Sequence, residues 1–101
     1  MARETTEDPK RYCVYLLSCS DGSFYTGMTN DMARRLREHR ASRGARWTQR
    51  RLPVELAFSL EDLGYRAARE VERYVKSLSR ARKKALVEHN PRMLSLVHKR
   101  T

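Results

Sequence analysis

A chain of 101 residues is one domain by length, and folding at that size hides roughly two thirds of its surface, enough for one modest core. Hydrophobic residues make up 40% and charged residues 34%, which excludes a disordered chain. Lys and Arg number 22 against 12 Asp and Glu, and a net charge of +10 on so small a domain repels itself unless an anion relieves it.

Residues 1–10, "MARETTEDPK", read as a mobile polar lead-in with no apolar stretch of the kind a secretory signal carries. Residues 12–19, "YCVYLLSC", are aromatic, β-branched and apolar, which predicts a strand. "SDGS" supplies a turn and "FYTGMT" a second short strand. "NDMARRLREHRAS" opens with capping residues and continues with apolar positions at helical spacing, so it predicts a helix. "RGARWTQRRLP" reads as a basic loop. "VELAFSL" alternates Val54, Leu56, Phe58 and Leu60 with Glu55, Ala57 and Ser59, a half-buried strand. "EDLGY" turns the chain into the helix "RAAREVERYVKSL", and "SRARKKALVEH" predicts another, stopped by Asn90-Pro91. The domain thus spans residues 11–90, and 91–101 form a tail that reads as a short docking helix. The order ββαβαα predicts a small α/β (α+β) sandwich built on a three-stranded sheet.

No apolar run approaches the ~20 residues of a membrane span, and no helix has the broad apolar face that surface insertion wants. Nucleic acid is the leading polyanionic partner, because neutralising phosphates releases counterions. Cys13 and Cys19 lie six residues apart with no CxxC and no nearby His, so zinc is not expected and buried free thiols are. The expected setting is cytoplasmic.

The hairpin turn decides where two tyrosines point. A two-residue Asp-Gly turn puts Tyr15 and Tyr25 on opposite faces of the sheet. A three-residue loop, Ser20-Asp21-Gly22 with Gly22 left-handed, puts both on one face. A slip of one residue exchanges the two outcomes, and the turn chemistry permits either.

On the first helix Met32, Leu36 and His39 share a stripe with Arg35 on its shoulder, while Arg34, Arg37 and Glu38 fall on the far, solvated side. Arg35 and His39 are neighbours at i, i+4. A partly buried guanidinium wants an anion. On the helix 65–78, Glu72 falls inside the stripe of Ala68, Val71, Val75 and Leu78. A carboxylate there needs a cation, which a salt bridge to Arg35 or a bound metal would supply equally well. Arg43, Arg46, Arg50 and Arg51 in the basic loop, with Lys76, Arg80, Arg82, Lys83 and Lys84, are the candidate phosphate contacts. Trp47 suits either stacking on an unpaired base or anchoring its loop to the core.

"CVY", the ten-residue step from Tyr15 to Tyr25, "YTG" and "TNDMARRLREH" together resemble the GIY-YIG nuclease superfamily. "GARWTQRRLPVEL" and "AAREVERYVKSLSRARKKALV" extend the resemblance over residues 11–88. It is closest in kind to the small single-domain members, related to structure-specific nucleases and to the excision-repair incision domain. The resemblance implies a three-stranded antiparallel sheet flanked by helices. It implies Tyr15, Tyr25, Arg35, His39 and Glu72 as active-site residues, with Glu72 holding one divalent ion, Mg²⁺ or Mn²⁺, and no small-molecule cofactor. Gly27 would give close backbone approach, and the three-residue loop with Gly22 would follow from both tyrosines sharing a site. Cys13 replaces the first motif's glycine and Thr26 the second motif's isoleucine; neither removes a group the chemistry needs. The implied function is hydrolysis of phosphodiester bonds in branched, flapped or damaged DNA. RNA is the alternative substrate, and a protein partner would supply specificity. A non-catalytic nucleic-acid-binding module on the same fold is the competing reading.

Overall fold

The computed structural model describes residues 10–89. Its sheet has three strands in the order β2-β1-β3, both pairings antiparallel. Strand β1 (Tyr12–Cys19) is central, and residues 13–17 are buried on both faces, as their continuous apolar run requires. Strand β2 (Phe24–Thr29) forms an edge.

The β1–β2 turn is the three-residue loop. Tyr15 pairs with Gly27 and Leu17 with Tyr25. The Cys19 amide donates to the Ser23 carbonyl and the Gly22 amide to the Cys19 carbonyl, both at 3.0 Å. Gly22 has φ of 85°, a conformation a side chain would disfavour. The Asp21 carboxylate accepts from the Ser23 amide and hydroxyl and so favours this loop over the two-residue turn.

Strand β3 (Val54–Leu63) runs three residues past the expected 54–60. Asp62 adopts φ of 65°, the Arg11 guanidinium holds its carboxylate at 2.9 Å and its carbonyl at 2.7 Å, and pairing resumes at Tyr12–Leu63. The "EDL" segment therefore bulges without leaving the sheet. A second irregularity alters the expected alternation. Leu56 pairs with Leu17 but Phe58 with Leu16, so Ala57 is an extra residue and the strand changes face there. Val54 and Leu56 pack with Tyr15 and Leu17 on one side of the sheet. Phe58 and Leu60 pack with Leu16 on the other.

Helix α1 (Met32–Arg40) is capped by Asp31, whose carboxylate accepts from the Arg34 amide at 3.1 Å. It lays Met32 and Leu36 over Cys13, Tyr15 and Leu17. The basic segment expected to be a loop contains a single helical turn, α2 (Arg46–Gln49). Thr48 closes it by donating its hydroxyl to the Ala45 carbonyl at 2.8 Å. Helices α3 (Tyr65–Lys76) and α4 (Arg80–Glu88) cover the opposite side of the sheet through Val71, Val75, Leu86 and Val87, with Leu78 from the turn between them. The element order is thus ββααβαα. Cys13 and Cys19 are buried free thiols. No helix among the described residues is long and apolar enough to cross a membrane. The expected docking helix at 91–101 and the lead-in at 1–9 lie outside the described residues.

Candidate active site

The hairpin register places Tyr15 and Tyr25 on the face that α1 covers, with ring centroids 6.3 Å apart. His39 at the end of α1 completes the group. Its ring centroid lies 5.9 Å from that of Tyr15 and 5.3 Å from that of Tyr25. Tyr15 is 1% exposed and His39 has no exposed surface.

Three hydrogen bonds run in series through this buried core. The Tyr15 hydroxyl lies 3.0 Å from Nε2 of His39. Nδ1 of His39 lies 2.9 Å from the Thr48 hydroxyl, which in turn reaches the Ala45 carbonyl. A carbonyl only accepts, so Thr48 gives its single proton to Ala45 and must accept from Nδ1–H. Nε2 is then the bare nitrogen of a neutral imidazole, and Tyr15 donates to it. One backbone carbonyl thereby fixes the tautomer of the histidine and the direction of the tyrosine hydroxyl. Burial, and then the charge of Arg35, pull the His39 pKa below its usual 6.5, so the neutral form dominates at neutral pH. Burial pushes the Tyr15 phenol up to about 12, although the Arg35 guanidinium beside it favours the phenolate.

Arg35 lies on the shoulder of the α1 stripe and donates to Glu38 at 2.8 Å. Glu38, expected on the solvated side, turns back between Arg34 and Arg35 because i, i+3 and i, i+4 spacings bring all three together. Arg35 is thus paired within α1, and among the described residues no ion pair joins it to Glu72. Glu72, with 19% of its side chain exposed, instead pairs with Lys76 at 3.5 Å. Lys76 lines a depression together with Tyr25 and Trp47, so the polar edge of α3 reaches the open side of the tyrosine site. The described residues contain no cluster of three or more His, Cys, Asp or Glu side chains. A single half-buried carboxylate with a loosely held lysine suits a hard cation that keeps its waters and takes one or two carboxylates plus substrate phosphates. The chemistry of Glu72 therefore fits a hard divalent cation.

Two contributors escaped the sequence. Thr48 sits nine residues after His39, inside a segment that reads as a basic loop. Gly44 packs its α-carbon onto the His39 ring so closely that a Cβ there would collide with Nδ1. A Cβ at Gly27 would lie 2.5 Å from the Tyr15 hydroxyl, so the β2 backbone approaches that ring closely.

The basic candidates divide into two groups. Arg51 is committed to the fold, bonding Asp21 at 3.0 Å and the Trp47 carbonyl at 2.9 Å while lying 3.8 Å over the Trp47 ring. Arg80 ties α4 to the hairpin through the Gly22 carbonyl at 2.8 Å, and Lys84 pairs with Glu88 at 3.7 Å. Arg43, Arg46 and Arg50 are exposed, and Arg46 and Arg50 flank Trp47 in a depression beside the site. Trp47 is 38% exposed and its ring lies 6.0 Å from that of Tyr25.

A family model described as the GIY-YIG catalytic domain matches residues 11–85. A UPF0213 protein of Bacillus cereus is 35% identical over 88 residues, spanning 87% of this chain and 92% of its own. One from Natronomonas pharaonis is 47% identical over 74 residues, 73% of this chain and 87% of that protein. The solution NMR structure of a UPF0213 protein from Bacillus halodurans is 40% identical, with a TM-score of 0.51 over 77% of this chain and 83% of that one. Fold, motif spacing and these likenesses agree, and the chain belongs to the GIY-YIG catalytic-domain family of nucleases.

Proposed function

We propose that this protein is a metal-dependent endonuclease that hydrolyses phosphodiester bonds in DNA. The observation that carries the proposal is the directed chain Tyr15–His39–Thr48–Ala45 beside Arg35. A phenol near 12 is too weakly acidic to wait as phenolate at neutral pH. It can act as a relay: the oxygen of Tyr15 takes a proton from the attacking water while its own proton passes to Nε2 of His39. The water oxygen bonds to phosphorus, the P–O bond to the leaving oxygen breaks, and the leaving oxygen is protonated from solvent. Thr48 holds the imidazolium that forms through the Nδ1–H bond.

Arg35 presents a planar donor fork suited to the non-bridging phosphate oxygens as charge builds on them. Tyr25, half-buried and a diagonal neighbour of Tyr15, shapes the position of the phosphate. Glu72 would hold the divalent ion, which supplies charge neutralisation at the phosphate and at the leaving oxygen.

Exposed Arg43, Arg46 and Arg50 contact phosphates rather than base edges, which favours recognition by shape. Branched, flapped or damaged DNA in repair or recombination is the expected substrate class, with a protein partner adding specificity. The test is Mg²⁺- and Mn²⁺-dependent cleavage across single-stranded, duplex, flap and junction substrates. Arg35→Ala and Glu72→Ala should each abolish nicking; activity that survives both sinks the assignment. Salt-sensitive binding by the wild type with no turnover on any substrate would favour the non-catalytic module instead.

A further inference from the structure

Phe24, Tyr25 and Thr26 are consecutive on the free edge of β2. Because side chains alternate along a strand, Tyr25 points to the Tyr15 side while Phe24 and Thr26 point to the side covered by α3 and α4. Together with Trp47, Lys76 and Lys83 they line a depression of about 290 Å³ that wraps the edge of the sheet.

Two polar groups of this depression lack a partner among the described residues. Thr26 is 3% exposed, and its hydroxyl has no hydrogen-bond partner, a rare condition for a buried polar atom. Lys83 is half-buried, and no carboxylate among the described residues pairs with it. Burial, and then the neighbouring charge of Lys76, lower its pKa. Lys76 has Glu72 as its carboxylate partner, so the half-buried ammonium of Lys83 is the one that calls for an anion. The rest of the lining is aromatic, and the Trp47 ring is open to solvent on part of its surface.

We propose that this depression is a nucleotide pocket. It takes one unstacked nucleotide, with the base against Phe24, Tyr25 and Trp47 and in reach of the Thr26 hydroxyl, and the phosphate on Lys76 and Lys83. Aromatic side chains accept the flat face of any base, and an ammonium pair suits a phosphate as point charges. Tyr25 belongs to both sites, its ring 5.3 Å from that of His39 and 6.0 Å from that of Trp47. The held nucleotide therefore adjoins the bond to be cut. A base stacked inside a duplex cannot turn sideways into such a pocket without leaving its helix. This extends the nuclease reading and rests on it for its meaning. The substrate carries at least one unpaired nucleotide beside the scissile phosphate, as at a flap, a bulge or a strand end.

Trp47 is the only tryptophan, so its fluorescence reports on the pocket without any cleavage assay. The full chain is titrated, without metal, with thymidine 5′-monophosphate, thymidine, inorganic phosphate, single-stranded oligothymidylate and a blunt duplex. The monophosphate should quench saturably and bind at least about tenfold more tightly than thymidine or phosphate alone. Thr26→Val and Lys83→Gln should each weaken it about tenfold, with circular dichroism unchanged. The oligothymidylate should reproduce the quench and the duplex should not, which distinguishes a free nucleotide from one within a strand. Absence of saturable quenching, equal affinity for phosphate alone, or no effect of either substitution would overturn the pocket. Nucleotide binding without cleavage on any substrate removes the nuclease reading and leaves the pocket. Cleavage without nucleotide binding does the reverse.

Discussion

Tyr15 and His39 share one buried hydrogen bond, 3.0 Å long, whose direction is decided by a third residue, Thr48, that touches only the far side of the imidazole. The tyrosine is the donor because the threonine has already given its proton away. The reactivity of a β1 side chain is thus set by a single turn of helix in a basic segment.

Thr48→Val should test that control. Removing the hydroxyl leaves the buried Nδ1–H unpartnered, at a cost of about 1–3 kcal/mol in stability. Turnover should fall by about ten- to a hundredfold, and Thr48→Ser should restore both. Nitrogen-15 NMR of the His39 ring should show an Nδ1–H tautomer in the wild type and a mixture in the valine variant, an outcome that packing loss alone would not produce.

The two pKa shifts predict opposite pH limbs. His39 titrates lower in the folded protein than in the unfolded chain. The unfolded state therefore takes up its proton first as pH drops below 6.5, and stability declines from there towards the folded value. Tyr15 rises from 10 to about 12, so the unfolded state loses its proton first and stability declines between about pH 10 and 12. Denaturant melts across pH should show both limbs, and His39→Gln should flatten the acidic one. The acid limb of kcat/KM should likewise sit below 6.5.

Gly27→Ala should be severe for so small a change. The added methyl would lie 2.5 Å from the Tyr15 hydroxyl, so either the ring or the strand must shift, at about 1–3 kcal/mol. Displacing the ring breaks its bond to His39. The expected result is a fold that survives with activity reduced by at least about a hundredfold. Near-normal activity would show that Tyr15 need not hold its present position.

Thr26→Val should do the opposite to stability. It replaces an unpartnered buried hydroxyl with an isosteric methyl, which should raise stability by about 1 kcal/mol and the melting temperature by about 4–8 °C for a domain of this size. A gain in stability coupled to a loss of nucleotide affinity would mark the hydroxyl as retained for binding.

Much of the fold was legible because β1 is apolar throughout and α1 and α3 carry clear stripes at helical spacing. The tyrosine geometry was legible only as a pair of alternatives. Asp-Gly supports both a two- and a three-residue turn, and the deciding contacts of Asp21 with Ser23 and Arg51 are tertiary or side-chain interactions that composition does not encode. The alternation of Val54, Leu56, Phe58 and Leu60 suggested one buried face. The bulge at Ala57 sends the first two and the last two to opposite sides, and nothing in the residue types marks that position. Glu38 looked solvated because helical angle alone ignores the reach of a glutamate back to Arg35. Thr48 was invisible: a hydroxyl in a basic loop gains meaning only when the chain folds it against His39.

The contact between Arg35 and Glu38 means that the arginine proposed to receive the phosphate arrives with its own resident anion. At 2.8 Å the carboxylate already fills part of the guanidinium fork, and both side chains are about a quarter exposed. Chloride and other weakly coordinating ions of the surrounding solution would have to displace a tethered oxygen anion to settle there, and they gain little by doing so. A phosphodiester arriving with its own polyanionic strand, drawn in by a protein of charge +10, can make that exchange. On the proposed function, Glu38 would act as a tethered competitor that keeps small ions out of the fork and yields it to the substrate.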